Sequence, residues 1–221
     1  SNFVQAQGLG RQMDTSKVFW NLIEARRVAK ACDHARIDEE LWSRFGVEKA
    51  IVFTDLAGFT RNTHRHGIES FLTVIRASHV LFEPLIARHS GTVLKYEGDS
   101  LMVIFQDVLS ALKTTDEMFC VADNYNATRD EADHVRLCVG IGFGKVLLIE
   151  NHDLFGVEVN VASRLGEDIA QPGEVLLSSA AVKQIRGTDF EARAHALSND
   201  TEGAQSMWSF SPLRGSNVGG R

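Results

Sequence analysis

Two strand-like runs joined by a very short turn constrain the fold of this chain more than any other feature of its sequence. The runs TVLKY (92–96) and LMVIF (101–105) are rich in β-branched, aromatic and aliphatic residues, and only the tripeptide EGD lies between the first run and Ser100. Glycine next to an acid in so short a connection is typical of a tight β-hairpin. The predicted hairpin carries Asp99 at its tip.

The segments before the hairpin predict a strand followed by a helix. The run KAIVFTD (49–55) predicts a strand buried on both faces, and LAGFT after it predicts a sharp turn into a helix. A stripe of helical period extends to Ser90, in which Pro84 predicts a kink or an early end, and Gly91 is expected to close the helix. The stripe consists of Ile68, Phe71, Leu72, Ile75, Phe82 and Ile86.

The segments after the hairpin complete the pattern. A helix is predicted over 107–126, and VRLCVGIGFGKVLLI (135–149) predicts a strand interrupted by three glycines that permit close backbone approach. The order strand, helix, hairpin, helix, strand resembles the ferredoxin-like split arrangement, an α+β fold. Beyond it the sequence predicts a helix around 158–170, the strand EVLLS, the helix SAAVKQI and weaker strands near Phe190 and Trp208.

The N-terminal segment predicts a helix with one apolar stripe. Its stripe residues are Val18, Leu22, Ala25, Ala29 and Cys32. Two interpretations are open: an amphipathic helix that lies on the domain, or a short coiled coil with a second chain. A small apolar cluster is expected just after it, formed by Ile37, Leu41, Trp42 and Phe45. This cluster predicts a connector that packs onto the domain beginning after Gly46.

Charge and composition exclude several classes of function. The formal net charge is −6 and the pI is about 5.7, so the chain lacks the basic surface of a protein that binds nucleic-acid polymers or membranes without sequence preference. The three cysteines have no CxxC spacing, which favours free thiols in a reducing compartment. Neither a membrane-spanning run nor a signal-peptide pattern is seen. We therefore expect a cytoplasmic protein, or the cytoplasmic domain of a larger one.

Two acids are candidates for a metal site. Asp55 ends the first predicted strand and, taken alone, could cap the following helix. If the hairpin pairs beside that strand, however, Asp55 and Asp99 converge at one sheet edge, where like charges repel unless a cation lies between them. Hard carboxylate oxygens suit Mg²⁺ or Mn²⁺. A helix N-terminus next to them would offer N–H groups to an anion, from Ala57, Gly58, Phe59 and Thr60. A metal beside an anion site predicts a phosphate-bearing substrate.

Three stretches carry a resemblance to a known family. FTDLAGFT, LKYEGDSLMVIF and DLFGVEVNVASRL resemble the signature stretches of the class III nucleotidyl (adenylate/guanylate) cyclase catalytic domain, and they stand in the family's order. The resemblance extends from about Val47 to Ser178 and more weakly to about Pro212. It implies a catalytic domain over 45–213 with the ferredoxin-like βαββαβ core. The apolar stripe predicts an N-terminal helical segment over 1–44, and the Gly- and Ser-rich composition after Arg214 predicts a disordered tail over 214–221.

The resemblance implies an adenylate cyclase that converts ATP to 3',5'-cyclic AMP and pyrophosphate. In that family two metal ions, Mg²⁺ or Mn²⁺, are bound by the positions that match Asp55 and Asp99, and the carbonyl of Leu56 also faces a metal. The match of Asn160 orients the ribose, and the match of Arg164 stabilises charge on the transferring phosphoryl group. Because they are four residues apart, we expect both side chains on one face of a helix.

The resemblance also implies the nucleotide preference and the assembly. Lys95 and Asp153 match the family's base-reading pair: the lysine donates to adenine N1 and the carboxylate accepts from the exocyclic amine, whereas guanine mispairs with both. Lys145 matches a basic residue that some members place against the distal phosphates. One chain carries both halves of a site that the family forms across a dimer interface, which implies a homodimer. A sensor or regulatory domain upstream is compatible with this assembly.

Other functions stay open beside this one. A guanylate or mixed-specificity cyclase is disfavoured by Lys95 and Asp153, and a phosphoesterase lacks a nucleophile beyond the metals. A catalytically silent nucleotide-binding regulatory domain would have lost a metal or transition-state residue, whereas this chain keeps them all.

The chain departs from many members of the family in two ways. Only residues 149–152 separate the GKVLL strand from Asp153, in place of a longer projecting arm, and no Gly-Lys-Gly stretch is present for the γ-phosphate.

Overall fold

The chain forms two compact units. The computed structural model describes residues 3–58, 67–150, 152–197 and 207–214. The N-terminal unit comprises Ser1–Glu48 and Lys145–Val157, and the sheet unit comprises Lys49–Gly144 and Glu158–Arg221. Each unit has a buried apolar cluster of its own.

The described elements are helices and strands of ordinary length. The helices are α1 (Phe3–Val28), α2 (Ala31–Phe45), α3 (Ile68–Arg88), α4 (Val108–Asn126), α5 (Val157–Ser163) and α6 (Ser179–Gln184). The strands are β1 (Gly46–Leu56), β2 (Thr92–Glu97), β3 (Ser100–Phe105), β4 (Leu137–Ile149), β5 (Asp153–Phe155), β6 (Val175–Ser178), β7 (Ala194–Ala196) and β8 (Met207–Phe210). A π-helical turn covers Arg164–Ile169, and 3-10 turns cover Glu131–Asp133 and Glu191–Arg193. The strands lie in the order β2-β3-β1-β4-β6-β8-β7, and β5 pairs with β4.

The first part of the sheet confirms the predicted α+β, ferredoxin-like fold. The elements β1-α3-β2-β3-α4-β4 follow the βαββαβ order, and their strands lie side by side as β2-β3-β1-β4. β1 and β3 are antiparallel, with Thr54 opposite Leu101. In the hairpin Glu97 lies opposite Ser100, so only two residues form the turn. Gly98 there has φ of +63°, a left-handed conformation that favours glycine.

The core of the sheet unit differs from the predicted stripe of α3. Phe71 and Phe82 are buried as expected, but Ile68 and Leu72 are exposed, and Val74 and Leu85 occupy the buried side instead. A helix with apolar residues on more than one side does not show by period alone which side faces the core. Every residue of β3, which lies between β1 and β2, is buried, and Leu101, Val103 and Phe105 belong to the apolar cluster that includes residues of α3 and α4.

Two local predictions concern the second half of α3. The early end expected at Pro84 is wrong, because the helix continues to Arg88, while the alternative, a kink there, stays a prediction. Proline removes the hydrogen bond to the carbonyl of Val80, and Val80 is 55% exposed, so water can satisfy that carbonyl. Gly91 closes the helix as expected, since its N–H donates to the Ile86 carbonyl at 2.8 Å, and the left-handed residue before it is Ser90, with φ of +57°. A side chain at position 91 would meet the ring of Phe105.

Helix α3 is long and apolar enough to cross a membrane by length and composition. Its buried residues, however, pack in the apolar cluster of the sheet unit together with residues of α4 and the strands. The same composition is therefore explained by a core helix.

Strand β4 and the segment after β5 also differ in detail from the prediction. The three glycines do not interrupt β4, which is continuous over Leu137–Ile149. The helix expected around 158–170 is α5 followed by the π-helical turn. The weak strand expected near Phe190 is β7, which begins at Ala194. The expected tail lies outside the described residues except Arg214, which donates to the Gly173 carbonyl at 2.9 Å.

The N-terminal unit packs around Phe19, and three residues of the predicted stripe, Val18, Leu22 and Ala29, are partly buried against the same cluster. Phe19 is 3% exposed and belongs to a buried cluster, whereas Ala25 and Cys32 of the stripe are exposed. Helix α1 ends at Val28, so the stripe does not lie on one helix. The cluster contains Phe19, Ile37, Leu41, Phe45 and Ile149. Trp42, expected among them, is 43% exposed. The coiled-coil interpretation stays a prediction.

Candidate active site

The structure brings Asp55 and Asp99 to the same edge of the sheet. Asp55 follows Thr54, the last residue of β1 in register with β3, and Asp99 is the second residue of the hairpin turn. The hydroxyl of Ser100 donates to Oδ1 of Asp55 at 3.2 Å. Both carboxylates are half-buried. The convergence therefore follows from antiparallel pairing between the end of β1 and the start of β3.

The electrostatics of the two acids reflect this crowding. Burial, followed by the charge of Asp99, raises the pKa of Asp55 to a net value of about 6, although hydrogen bonds from Ser100 and the Leu56 backbone act in the opposite direction. Burial also raises the pKa of Asp99, with a smaller contribution from the charge of Glu167. Each acid is thus harder to ionise than an exposed aspartate. A cation at this edge would favour the ionised forms.

The carboxylates of Asp55 and Asp99 fit a hard divalent cation that takes its other ligands from backbone carbonyls, water or substrate. The described residues contain no group of three or more His, Cys, Asp or Glu side chains placed to hold a metal ion. Two carboxylates therefore leave coordination positions for the Leu56 carbonyl, water or substrate phosphates. Mg²⁺ is bound in this way, through one or two carboxylates and the substrate's own oxygens.

The predicted anion site after β1 is described only in part. The N–H of Ala57 donates to the Arg136 carbonyl at 2.9 Å, so this amide is already engaged. Gly58 is exposed and has φ of +103°, which turns the chain sharply at the end of the strand. Phe59 and Thr60 lie outside the described residues.

The side chains of Asn160, in α5, and of Arg164, just after it, are both exposed. Asn160 lies in α5, and Arg164 directly follows the last residue of α5 as the first residue of the π-helical turn. That their side chains share one helix face stays a prediction. Within the described parts of the chain, neither side chain forms a hydrogen bond or an ion pair with Asp55 or Asp99. Both side chains are accessible to solvent.

The other predicted residues lie on three strands. Lys95 is half-buried on β2 in the sheet unit. Asp153 begins β5, where it pairs with Ile149, and Lys145 is exposed on β4; both belong to the N-terminal unit. The predicted base-reading pair is thus divided between the two units.

Three residues near these positions were missed by sequence reasoning. Ser100 follows Asp99 directly, and its position opposite the end of β1 was the only available signal. Glu167 influences the pKa of both aspartates and accepts a hydrogen bond from Ser163. Glu158 accepts hydrogen bonds from β4 and β6 residues. No pattern in the sequence distinguishes either glutamate from a solvated helix residue.

The sheet unit therefore combines a ferredoxin-like sheet, two aspartates at one edge, and an exposed Asn and Arg at the end of α5. The sequence matches the family described as the adenylate and guanylate cyclase catalytic domain over residues 47–209. The chain belongs to this family.

Relatives and solved structures agree with this assignment. Proteins named adenylate cyclase in Streptomyces coelicolor and Streptomyces griseus are 32% and 30% identical over 73% and 72% of the chain. The chain spans only 38% and 36% of those relatives. Among solved structures, an adenylate/guanylate cyclase/hydrolase from Silicibacter pomeroyi has a TM-score of 0.65 at 23% identity, with 76% of this chain and 98% of that chain covered. A bacterial light-regulated adenylyl cyclase has a TM-score of 0.62 at 19% identity, with 75% and 90% covered. These structures share the fold.

Proposed function

We propose that residues 45–213 form an adenylate cyclase domain that converts ATP to 3',5'-cyclic AMP and pyrophosphate. The observation that carries this proposal is the placement of Asp55 and Asp99 side by side, half-buried, at the end of β1 and the tip of the β2–β3 hairpin. The relatives named adenylate cyclase support the choice of ATP.

Asp55 and Asp99 are proposed to hold two Mg²⁺ or Mn²⁺ ions, with the Leu56 carbonyl as a further ligand. Bound there, the ions would ease loss of the ribose 3'-hydroxyl proton and neutralise charge on the α-phosphate and the pyrophosphate. Ser100 fixes the orientation of Asp55 through its hydrogen bond. The hairpin turn holds Asp99 on a rigid element, which keeps both carboxylates in place before substrate arrives.

The remaining residues bind and orient the nucleotide. Asn160 positions the ribose, and the planar guanidinium of Arg164 stabilises charge that develops on the transferring phosphoryl group. Lys95 donates to adenine N1 and Asp153 accepts from the exocyclic amine. The backbone at Gly58, with Phe59 and Thr60, and the side chain of Lys145 are proposed to contact the phosphates.

A homodimer with two shared sites is proposed as the active form. Asn160 and Arg164 are exposed and, among the described residues, form no bond to the acids of their own chain. A partner copy in head-to-tail arrangement would present them to Asp55 and Asp99 of the other chain. We place this domain in the cytoplasm, where ATP is available, and the proposed assembly is compatible with a sensor or regulatory domain upstream.

Two alternatives make different predictions. A guanylate or mixed-specificity cyclase would turn over GTP as well as ATP. A silent regulatory domain would bind nucleotide and metal without forming a cyclic product. The test is product formation from ATP and from GTP, with Mn²⁺ or Mg²⁺, at several protein concentrations.

The unaltered chain is compared with Asp99→Ala and with the matched control Asp189→Ala, since Asp189 is exposed and lies after α6. We expect cyclic AMP from the unaltered chain and from Asp189→Ala but not from Asp99→Ala. Rates should rise faster than linearly with protein concentration, because association forms the site. No product at concentrations where sizing shows a dimer would favour the silent domain.

A further inference from the structure

Helix α5, which carries Asn160, packs with its backbone directly on β4. A Cβ atom at Gly140 would lie 2.3 Å from the Ala162 carbonyl oxygen, and one at Gly142 would lie 2.7 Å from the Glu158 carbonyl oxygen. Contacts this close leave no side chain between the helix and the strand. A small displacement of the helix would therefore move Asn160, and with it Arg164 at the start of the next turn.

The carboxylate of Glu158 joins this helix to two neighbouring strands. Its Oε2 accepts the N–H of Phe143 in β4 at 3.2 Å and the hydroxyl of Ser178 at 2.8 Å. The parallel ladder between β4 and β6 includes Ile141 opposite Leu177, and β6 ends one residue later. Glu158 thus bonds the Phe143 amide just beyond the end of the ladder.

Ser178 links the same carboxylate to a second helix. Its hydroxyl oxygen accepts the N–H of Ala181 at 3.2 Å and so caps α6, while its hydroxyl hydrogen goes to Glu158. The side chain of Glu158 is therefore the common acceptor at a point where β4, β6 and α6 meet α5. No other described hydrogen bond from an α5 side chain reaches β4 or β6.

We propose that Glu158 is a positioning residue, which fixes α5 on β4 so that Asn160 and Arg164 keep the orientation that the reaction needs. This inference rests on the proposed function, and it adds a residue that touches neither substrate nor metal. Glu158 lies two residues before Asn160 on the same helix, so its bonds act directly on the element that carries the reacting groups. Precise orientation matters because a displacement of about 1 Å can reduce a rate by about 100-fold.

The test compares Glu158→Ala, Glu158→Gln and the control Asp189→Ala in the full chain. Glutamine keeps a carbonyl oxygen that can accept both hydrogen bonds, whereas alanine keeps none. Two kinds of measurement are made for each variant. Steady-state kinetics give kcat and KM for ATP per folded dimer, and hydrogen exchange is followed in peptides that cover 140–149 and 157–165.

We expect Glu158→Ala to lower kcat by about 10-fold or more, with KM changed less than about twofold, and to speed exchange in both peptides. Glu158→Gln should recover most of kcat and of the protection. A purely structural role would reduce the folded fraction and leave kcat per folded dimer unchanged, which would overturn the proposal. Unchanged exchange in Glu158→Ala would overturn it as well. Absence of product from the unaltered chain would reject the proposed function, and exchange alone would then decide whether Glu158 holds the helix.

Discussion

The hydroxyl of Ser100 donates to the carboxylate of Asp55 at 3.2 Å and so connects the start of β3 with the end of β1. This bond lowers the pKa of Asp55, while burial and the charge of Asp99 raise it to a net value of about 6. The edge of the sheet is therefore built to hold a carboxylate that is costly to ionise in the absence of a cation. The free-energy cost of ionising Asp55 in the folded protein can be measured by unfolding experiments, which do not depend on the proposed reaction.

Replacing Asp55 should stabilise the metal-free protein. The folded-state pKa of about 6 lies above the value of about 3.9 for an exposed aspartate, so the folded state loses stability as pH rises between these values. Asp55→Asn removes this penalty. After allowance for solvent screening at this half-exposed site, we expect its free energy of unfolding to exceed that of the unaltered chain by about 1 kcal/mol at pH 7.5 with EDTA. The difference should vanish near pH 4.

Urea unfolding at both pH values measures this effect. Asp189→Asn, on the exposed surface, serves as the control and should match the unaltered chain at both. Equal or lower stability of Asp55→Asn at pH 7.5 would show that the carboxylate is not crowded in solution.

Metal addition should make the unaltered chain more stable than Asp55→Asn. Mn²⁺ with a non-cyclising ATP analogue is expected to raise the melting temperature of the unaltered chain, because ligands that bind only the folded state stabilise it. Asp55→Asn and Asp99→Asn should each lose most of the shift and at least about 100-fold in cyclase rate. Thermal unfolding with and without metal provides the measurement. A full shift in both variants would place the metal elsewhere.

Nucleotide preference should follow Lys95 and Asp153. In the double variant Lys95→Glu, Asp153→Asn, a carboxylate can accept from guanine N1 and an amide can donate to O6. Each mismatched buried group costs about 1 to 3 kcal/mol, so the ratio of kcat/KM for ATP over GTP should fall by about 100-fold or more. Competition assays with both nucleotides measure this ratio. If the ATP preference persists in full, these two residues do not read the base.

A methyl group on β4 should disturb helix α5. In Gly140→Ala the new Cβ would approach both the Ala162 carbonyl and the Gly166 amide to 2.3 Å. We expect a loss of about 2 to 3 kcal/mol in the free energy of unfolding, as for other overpacked sites, together with a lower kcat. Gly98→Asn is the matched control, since position 98 has open space and asparagine tolerates φ of +63°. Equal unfolding midpoints for the two variants would contradict the close packing of α5 on β4.

The sequence predicted the structure correctly where a turn signal or the order of the elements determines it. The β2–β3 hairpin follows from the placement of Gly98 and Asp99, and the pairing of β3 with β1 follows from the ferredoxin-like order. Together these two inferences bring Asp55 and Asp99 to one edge from the sequence alone. The glycines of β4 likewise indicated a close approach, which proved to be that of α5.

The sequence failed where tertiary packing decides. Period alone could not show that Leu72 faces solvent while Val74 is buried, nor that Phe19 rather than Ala25 faces the core of the N-terminal unit. No sequence pattern predicted the π-helical turn that begins at Arg164, in which Gly166 lies close against the backbone of Gly140 and Phe53. The role of Glu158 depends on where β6 ends, which only the folded sheet determines.

The central claim is that one chain supplies Asp55 and Asp99 and its partner supplies Asn160 and Arg164. Mixing the inactive variants Asp99→Ala and Arg164→Ala tests it most directly, because only a mixed dimer contains one site with both halves intact. With equal association, half of the dimers are mixed and each has one working site. An equal mixture should therefore regain about a quarter of the activity of the unaltered chain. A mixture as inactive as its two components, at concentrations where mixed dimers are detected, would contradict the shared site.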